Sequence, residues 1–114
     1  MTSQRDSWEA QLRKGCLEMA ILAVLWEGRK YGLELLRVLS SRSMEIAEGT
    51  VYPILARFKA EGLLDSEWVE AEAGHPRKYY QLTGAGRRRL KDQAQAWATF
   101  SANLGPVTPA RHGR

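Results

Sequence analysis

One cysteine in 114 residues, Cys16, rules out an intrachain disulfide. That points to a reducing compartment, so the cytoplasm is the expected location. Long apolar runs are also missing. The longest, Met19 to Trp26, is too short to span a bilayer, and Met1 to Ser7 lacks the apolar centre of a secretory signal, so no membrane partner is expected. The two histidines, His75 and His112, and the lone cysteine are too few for a structural metal site. No nucleophile–base pair and no phosphate-cradling glycine loop is visible, so neither catalysis nor a cofactor is expected. Cys16 itself reads as a small core hydrophobe.

What is present fits one small domain. The chain is 44% hydrophobic and carries a net charge of +4. A basic balance suits a polyanionic partner, and its placement is more telling than its size. Arg77, Lys78, Arg87, Arg88, Arg89 and Lys91 fall within fifteen residues. A domain this small gains from a further buried surface, such as a dimer interface.

Residues 1–7 are polar and read as a flexible arm. From Trp8 to Trp26 the pattern is helical and apolar nearly all round, with Glu18 the only charge between Cys16 and Trp26. In so short a chain, one side of that helix should face its own domain and another a second subunit, with Leu17 and Ile21 in the interface. A second helix is expected over Tyr31–Ser41, with Leu35, Leu36 and Leu39 inward, followed by a brief extended segment at Met44–Ile46. A third begins between Ala47 and Thr50. Its Val51, Leu55 and Phe58 share a core face, whereas Tyr52, Pro53 and Arg57 fall off it. Pro53 suits a first turn and kinks a helix that starts earlier. Gly62 closes this helix.

Strands follow at Leu64–Ala71 and Arg77–Leu82, with Glu70 and Glu72 placed to pair with Arg77 and Lys78 across the hairpin. Thr83 is an N-cap for a last helix running to Leu104. Arg87, Arg88 and Arg89 lie near the positive end of that helix, where either an external anion or acids elsewhere in the chain must neutralise them. Leu90, Ala94, Trp97, Ser101 and Leu104 repeat at coiled-coil-like spacing and should form a dimer seam. Residues 105–114 read as a disordered tail. Helix, strand, basic hairpin tip and strand make the layout of a winged helix-turn-helix, mainly α with a small β-hairpin. The domain should cover residues 8–83, and the dimerisation helix residues 84–104.

Four segments resemble the PadR family of bacterial transcriptional regulators over roughly residues 10–104. Leu17-Glu18-Met19-Ala20-Ile21-Leu22 resembles the family's first helix, and Tyr31-Gly32-Leu33-Glu34-Leu35 the start of its second. Gly49-Thr50-Val51-Tyr52-Pro53-Ile54-Leu55 with Glu61-Gly62-Leu63 resembles its recognition helix. Gly74-His75-Pro76-Arg77-Lys78-Tyr79-Tyr80-Gln81-Leu82-Thr83 resembles its wing. The resemblance implies a homodimeric repressor whose last helix packs on the partner's first. His75 stands where the family more usually has arginine, which leaves one phosphate contact open or pH-dependent. Arg29-Lys30 stands where a proline is common.

The expected contacts to double-stranded DNA are Thr50, Tyr52, Pro53 and Arg57 from the recognition helix and Arg77 and Lys78 from the wing. Tyr31 either touches the backbone or packs in its turn. Arg57 suits a phosphate or a guanine edge. One of Tyr79 and Tyr80 should fill the core and the other pack beneath the wing. Trp97 is either an interface anchor or a platform for a small aromatic effector, with Met19, Trp8 and Phe100 lining the same space. The competing function is a winged-helix module that binds a protein through the same helix face.

Overall fold

The computed structural model describes residues 4–71 and 74–105, with side chains from Ser7 onward. Helix α1 spans Gln4–Trp26, strand β1 Lys30–Tyr31, α2 Gly32–Ser41, α3 Glu48–Ala60, β2 Leu64–Val69, β3 Arg77–Leu82 and α4 Gly84–Leu104. The three strands form one antiparallel sheet in the order β1-β3-β2. This is a winged helix-turn-helix with a long helix at each end.

The core gathers one face from each of α1, α2, α3 and the sheet, with α4 packed against it through Ala85 and Leu90. Ile21, Leu22, Val24 and Leu25 of α1 meet Leu35 and Leu39 of α2, Val51, Leu55 and Phe58 of α3, and Leu64, Tyr80 and Leu82 of the sheet. In β2 and β3 the inward residues alternate, as the two-residue period of a strand demands. Leu64 pairs with Leu82 and Trp68 with Lys78 in the same register.

Local chemistry sets the ends of the elements. Gly62, at φ 78°, lets α3 stop abruptly. Its N–H donates to the Lys59 carbonyl at 3.0 Å and that of Leu63 to Phe58 at 2.9 Å, which satisfies two terminal carbonyls. Ser43 plays the same part after α2 without being glycine, at φ 61°. Ser43 donates to the Ser40 carbonyl and Met44 to that of Leu39. Thr83 caps α4, its hydroxyl oxygen accepting from the Gly86 N–H at 3.0 Å and its O–H donating to the Gly62 carbonyl. Gly86 brings α4 so close to the turn before β2 that an added Cβ would lie 2.1 Å from the Leu63 carbonyl oxygen.

The structure departs from the sequence expectations at several points. α1 begins at Gln4, four residues before the apolar pattern starts, because a turn of polar sequence can extend a helix without adding to that pattern. Glu72 and residues 106–114 lie outside the described residues. β1 is a strand the sequence does not announce, since two residues carry no period. It exists because the edge of β3 offers partners, Lys30 to Tyr80 and Tyr31 to Tyr79. Met44–Ile46 is irregular rather than a strand. Pro53 lies in the second turn of α3, not the first, so the Gly49 carbonyl has no proline N–H to accept.

Leu17 and Ile21, expected at an interface, are buried within the chain itself. Cys16 is exposed, not a core residue. It shares an α1 stripe with Trp8 and Leu12, both also exposed.

Candidate nucleic-acid interface

Helix α3 is fixed by its core face and presents three other strips. Gly49, Pro53, Ala56 and Ala60, spaced 4, 3 and 4, form the strip farthest from the core, and all four are exposed. None has a hydrogen-bonding side chain. One flank, with Glu48, Tyr52 and Lys59, faces the sheet. The other, with Thr50 and Arg57, faces α1.

On the sheet side, α2, α3 and the wing enclose a cleft of about 480 Å³ lined by Tyr31, Gly32, Leu33, Arg37, Tyr52, Trp68, Arg77, Lys78 and Tyr80. Three cations line it and, among the described residues, no carboxylate does. Aromatic rings hold the cations in place. The Arg77 guanidinium lies 4.5 Å from the centre of the Tyr31 ring, and the Lys78 ammonium 5.8 Å from those of Trp68 and Tyr80. Arg37 donates to the Tyr31 hydroxyl at 3.5 Å. Tyr31 in turn meets Tyr79 edge to face at 5.4 Å. Tyr80 fills the core, and burial pushes its phenol pKa up, with a smaller push from Tyr52. The core position expected of one of the two tyrosines thus belongs to Tyr80.

The expected cross-strand pairs of Glu70 with Arg77 and Lys78 do not form among the described residues. Val69 and Trp68 stand opposite those two cations instead, and the strand ends before Glu70. Among the described residues, the positive charge of the wing thus has no acidic partner. Arg29 differs: its guanidinium pairs with Glu67 at 3.2 Å and covers Tyr79.

On the α1 side, an open groove of about 760 Å³ runs past Lys14, Glu18, Gly49, Thr50, Pro53, Ile54 and Arg57. Here Arg57 is not free. It donates to Glu18 at 2.6 Å and to Glu61 at 3.4 Å, and Glu61 lies 3.9 Å from Arg89. This network also answers part of the question of the α4 arginines. Arg89 has an acid nearby, whereas Arg87 sits over the Trp26 ring at 4.8 Å, with Lys91 beside it.

The structure thus brings Tyr31, Tyr52, Arg77 and Lys78 into one cleft and places Thr50, Pro53 and Arg57 along the opposite groove. It adds Arg37, Trp68 and Lys14, which the sequence reading missed. Arg37 had no visible signal. Trp68 had one, because the alternation Leu64, Ser66, Trp68 carries a large apolar residue past the end of the core. His75 is exposed in the turn of the wing.

Away from this surface, α1 and α4 pack together and both run beyond the core. Trp8 and Leu12 on α1, and Trp97, Phe100 and Leu104 on α4, are all more than half exposed. Leu90 rests against the chain's own core, Met19 is half-buried, and Ala94 and Ser101 are exposed. No described helix is long and apolar enough to cross a membrane.

Residues 21–92 match the model of the transcriptional regulator PadR-like family. The chain belongs to that family. A PadR-like transcription factor from Bacteroides fragilis is 36% identical, with a TM-score of 0.77 over 90% of this chain and 100% of that one. A PadR family regulator from Eggerthella lenta is 34% identical, with a TM-score of 0.81 over 91% of each chain. A transcriptional regulator of Mycobacterium tuberculosis is 31% identical over 86 residues, 75% of this chain and 79% of its own. PadR family members are transcriptional regulators rather than enzymes.

Proposed function

We propose that this PadR-like chain is a transcriptional repressor that binds duplex DNA as a homodimer. The observation that carries the reading is the cationic cleft beside α3, lined by no carboxylate among the described residues, in a fold whose relatives regulate transcription. A helix with small outward residues can lie deep in the major groove, while cations on its flanks meet the phosphates on either side. Arg37, Arg77 and Lys78 serve one flank, and Lys14 and Thr50 the other. Tyr31 and Tyr52 position the cleft and offer hydroxyls. Pro53 and Ala56 suit thymine methyl groups, so much of the sequence preference comes from apolar contact and DNA shape. Arg57 reaches DNA only by sharing its guanidinium with Glu18 and Glu61.

The dimer buries the exposed apolar residues of α1 and α4, namely Trp8, Leu12, Trp97, Phe100 and Leu104. Ala94 and Ser101 are the small residues that allow close approach. Two α3 helices related by a twofold axis read a palindromic operator, its half-sites about one helical turn apart or a multiple of it. A small aromatic effector fits between the Trp97 rings at the centre of this dimer, with Met19, Trp8 and Phe100 around it. It releases DNA if it binds better to the spacing of the wings that DNA does not accept.

The apolar outward strip of α3 favours a second reading, a module that docks a protein on that helix. Selection of bound sites from random duplexes by the purified chain separates the two. A recovered palindrome supports the repressor, and recovery of no preferred sequence supports the protein module.

A further inference from the structure

We propose that the cleft between the wing and the α2–α3 pair grips one strand of the duplex by packing a ring on its sugars as well as by charge, and that Trp68 is the packing residue. The proposal rests on the DNA-binding reading above and goes beyond it. Phosphate contacts alone do not call for an exposed indole.

Trp68 stands on the sheet face that elsewhere builds the core. Leu64, two pairs earlier on the same face, is 1% exposed, whereas Trp68 is 67% exposed. The strands outrun the core by one inward position, and a tryptophan occupies it. Isolated exposed apolar residues are ordinary, but this one is the rim of a concave site. Across the cleft lie Tyr52 on α3 and Leu33 and Arg37 on α2. Beside it, Lys78 holds its ammonium 5.8 Å from the indole centre.

This arrangement repeats the chemistry of a nucleotide chain. A strand alternates an anionic phosphate with a flat base and an apolar sugar. The cleft combines cations with rings: Arg37 and Lys78 for phosphates, Trp68 and Tyr52 for the apolar sugar faces between them. Such ring contacts tolerate any sequence, because every nucleotide carries the same deoxyribose. An acidic peptide would supply the charge but not the repeating sugars. Trp68 thereby becomes a wing contact whose contribution is insensitive to salt, in contrast to its neighbour Lys78.

That contrast is the test. Binding of the full chain to a labelled duplex carrying its selected site is measured across a salt series for the native protein, Trp68→Ala, Trp68→Phe and Lys78→Ala. Trp68→Ala should weaken binding about tenfold at every salt concentration and leave the slope of log K against log salt unchanged. Trp68→Phe should recover most of the loss. Lys78→Ala should lower the slope by about one unit. Thermal melting of each variant shows whether the fold is intact. A second readout does not depend on affinity: duplex binding should quench tryptophan fluorescence in the native chain, and that change should be largely absent in Trp68→Phe.

Equal affinity of Trp68→Ala and the native chain, or undiminished quenching in Trp68→Phe, overturns the packing role. A reduced slope in Trp68→Ala would show that the indole only positions Lys78, which also overturns it. Quenching of Trp68 by free benzoate but not by duplex would make the cleft a small-molecule site and overturn it as well. Failure of the native chain to bind any duplex would instead remove the DNA-binding reading itself.

Discussion

Replacing Gly32 with alanine should disturb the recognition helix from a distance. Gly32 opens α2, and a Cβ there would lie 2.3 Å from the Tyr52 hydroxyl and 2.6 Å from its ring. Ordinary contact begins near 3.4 Å, so the tyrosine must move by about 1 Å or leave its seat. The backbone of Gly32 has no left-handed φ, so alanine itself fits the helix. By that term alone the substitution should stabilise the fold by roughly 0.4–1 kcal/mol. Displacing the packed Tyr52 ring costs about 1–3 kcal/mol. The net loss should therefore lie between zero and roughly 2.6 kcal/mol in urea unfolding at fixed protein concentration. Removing the tyrosine removes the clash. In a Tyr52→Ala background, Gly32→Ala should be neutral or mildly stabilising, a coupling of about 1–3 kcal/mol between the two positions. Because Tyr52 lines the cleft, Gly32→Ala should also weaken DNA binding about as much as Tyr52→Ala does. Stability effects that add to within about 0.5 kcal/mol would refute the close packing on which this reasoning depends.

Four further outcomes follow from named contacts. Gly86→Ala drives a Cβ against the Leu63 carbonyl, where backbone must yield, and should cost about 2–3 kcal/mol and roughly 10 °C or more of melting temperature, whereas Gly84→Ala, whose nearest new neighbour is the Arg88 guanidinium at 3.7 Å, should melt near the native value. Ser43→Gly relieves a left-handed non-glycine residue and should raise stability by about 0.5–1 kcal/mol in the same unfolding assay. Trp97→Lys combined with Phe100→Lys should convert a sedimenting species of twice 12.9 kDa into a single chain at micromolar concentration; a native chain already monomeric there would contradict the proposed interface. Glu18→Gln removes the charge nearest Arg57 and should strengthen DNA binding severalfold if that guanidinium is shared with phosphate, with no gain in an Arg57→Ala background.

The architecture was legible because each long element carries its own signal. Val51, Leu55 and Phe58 announce the core face of α3, Thr83 the start of α4, and Gly62 the end of α3, and each acts through local chemistry alone. Features that depend on tertiary neighbours were hidden. β1 is a strand only because β3 has a free edge. A helix apolar all round cannot say which side is inward, so the burial of Leu17 and Ile21 within their own chain was not visible in the pattern. The same ambiguity placed Cys16 inside. The candidate site divided in the same way. Arg77, Lys78 and Tyr52 sit in motifs with a local meaning. Arg57 could not be known to meet Glu18, which lies 39 residues away in the chain. Nor could Arg37 and Trp68 be known to share a cleft.

The central claim is that this surface binds duplex DNA through phosphate-facing cations, two chains to a site. Its most direct test is a titration of the selected duplex against the native chain at several salt concentrations, with stoichiometry measured at the lowest. The account expects two chains per duplex and an affinity that falls steeply with salt, by about one power of the salt concentration for each phosphate contacted. Replacing Arg77 should reduce that slope by about one unit. An affinity indifferent to salt, or a slope that survives loss of Arg37, Arg77 and Lys78 together, would contradict it.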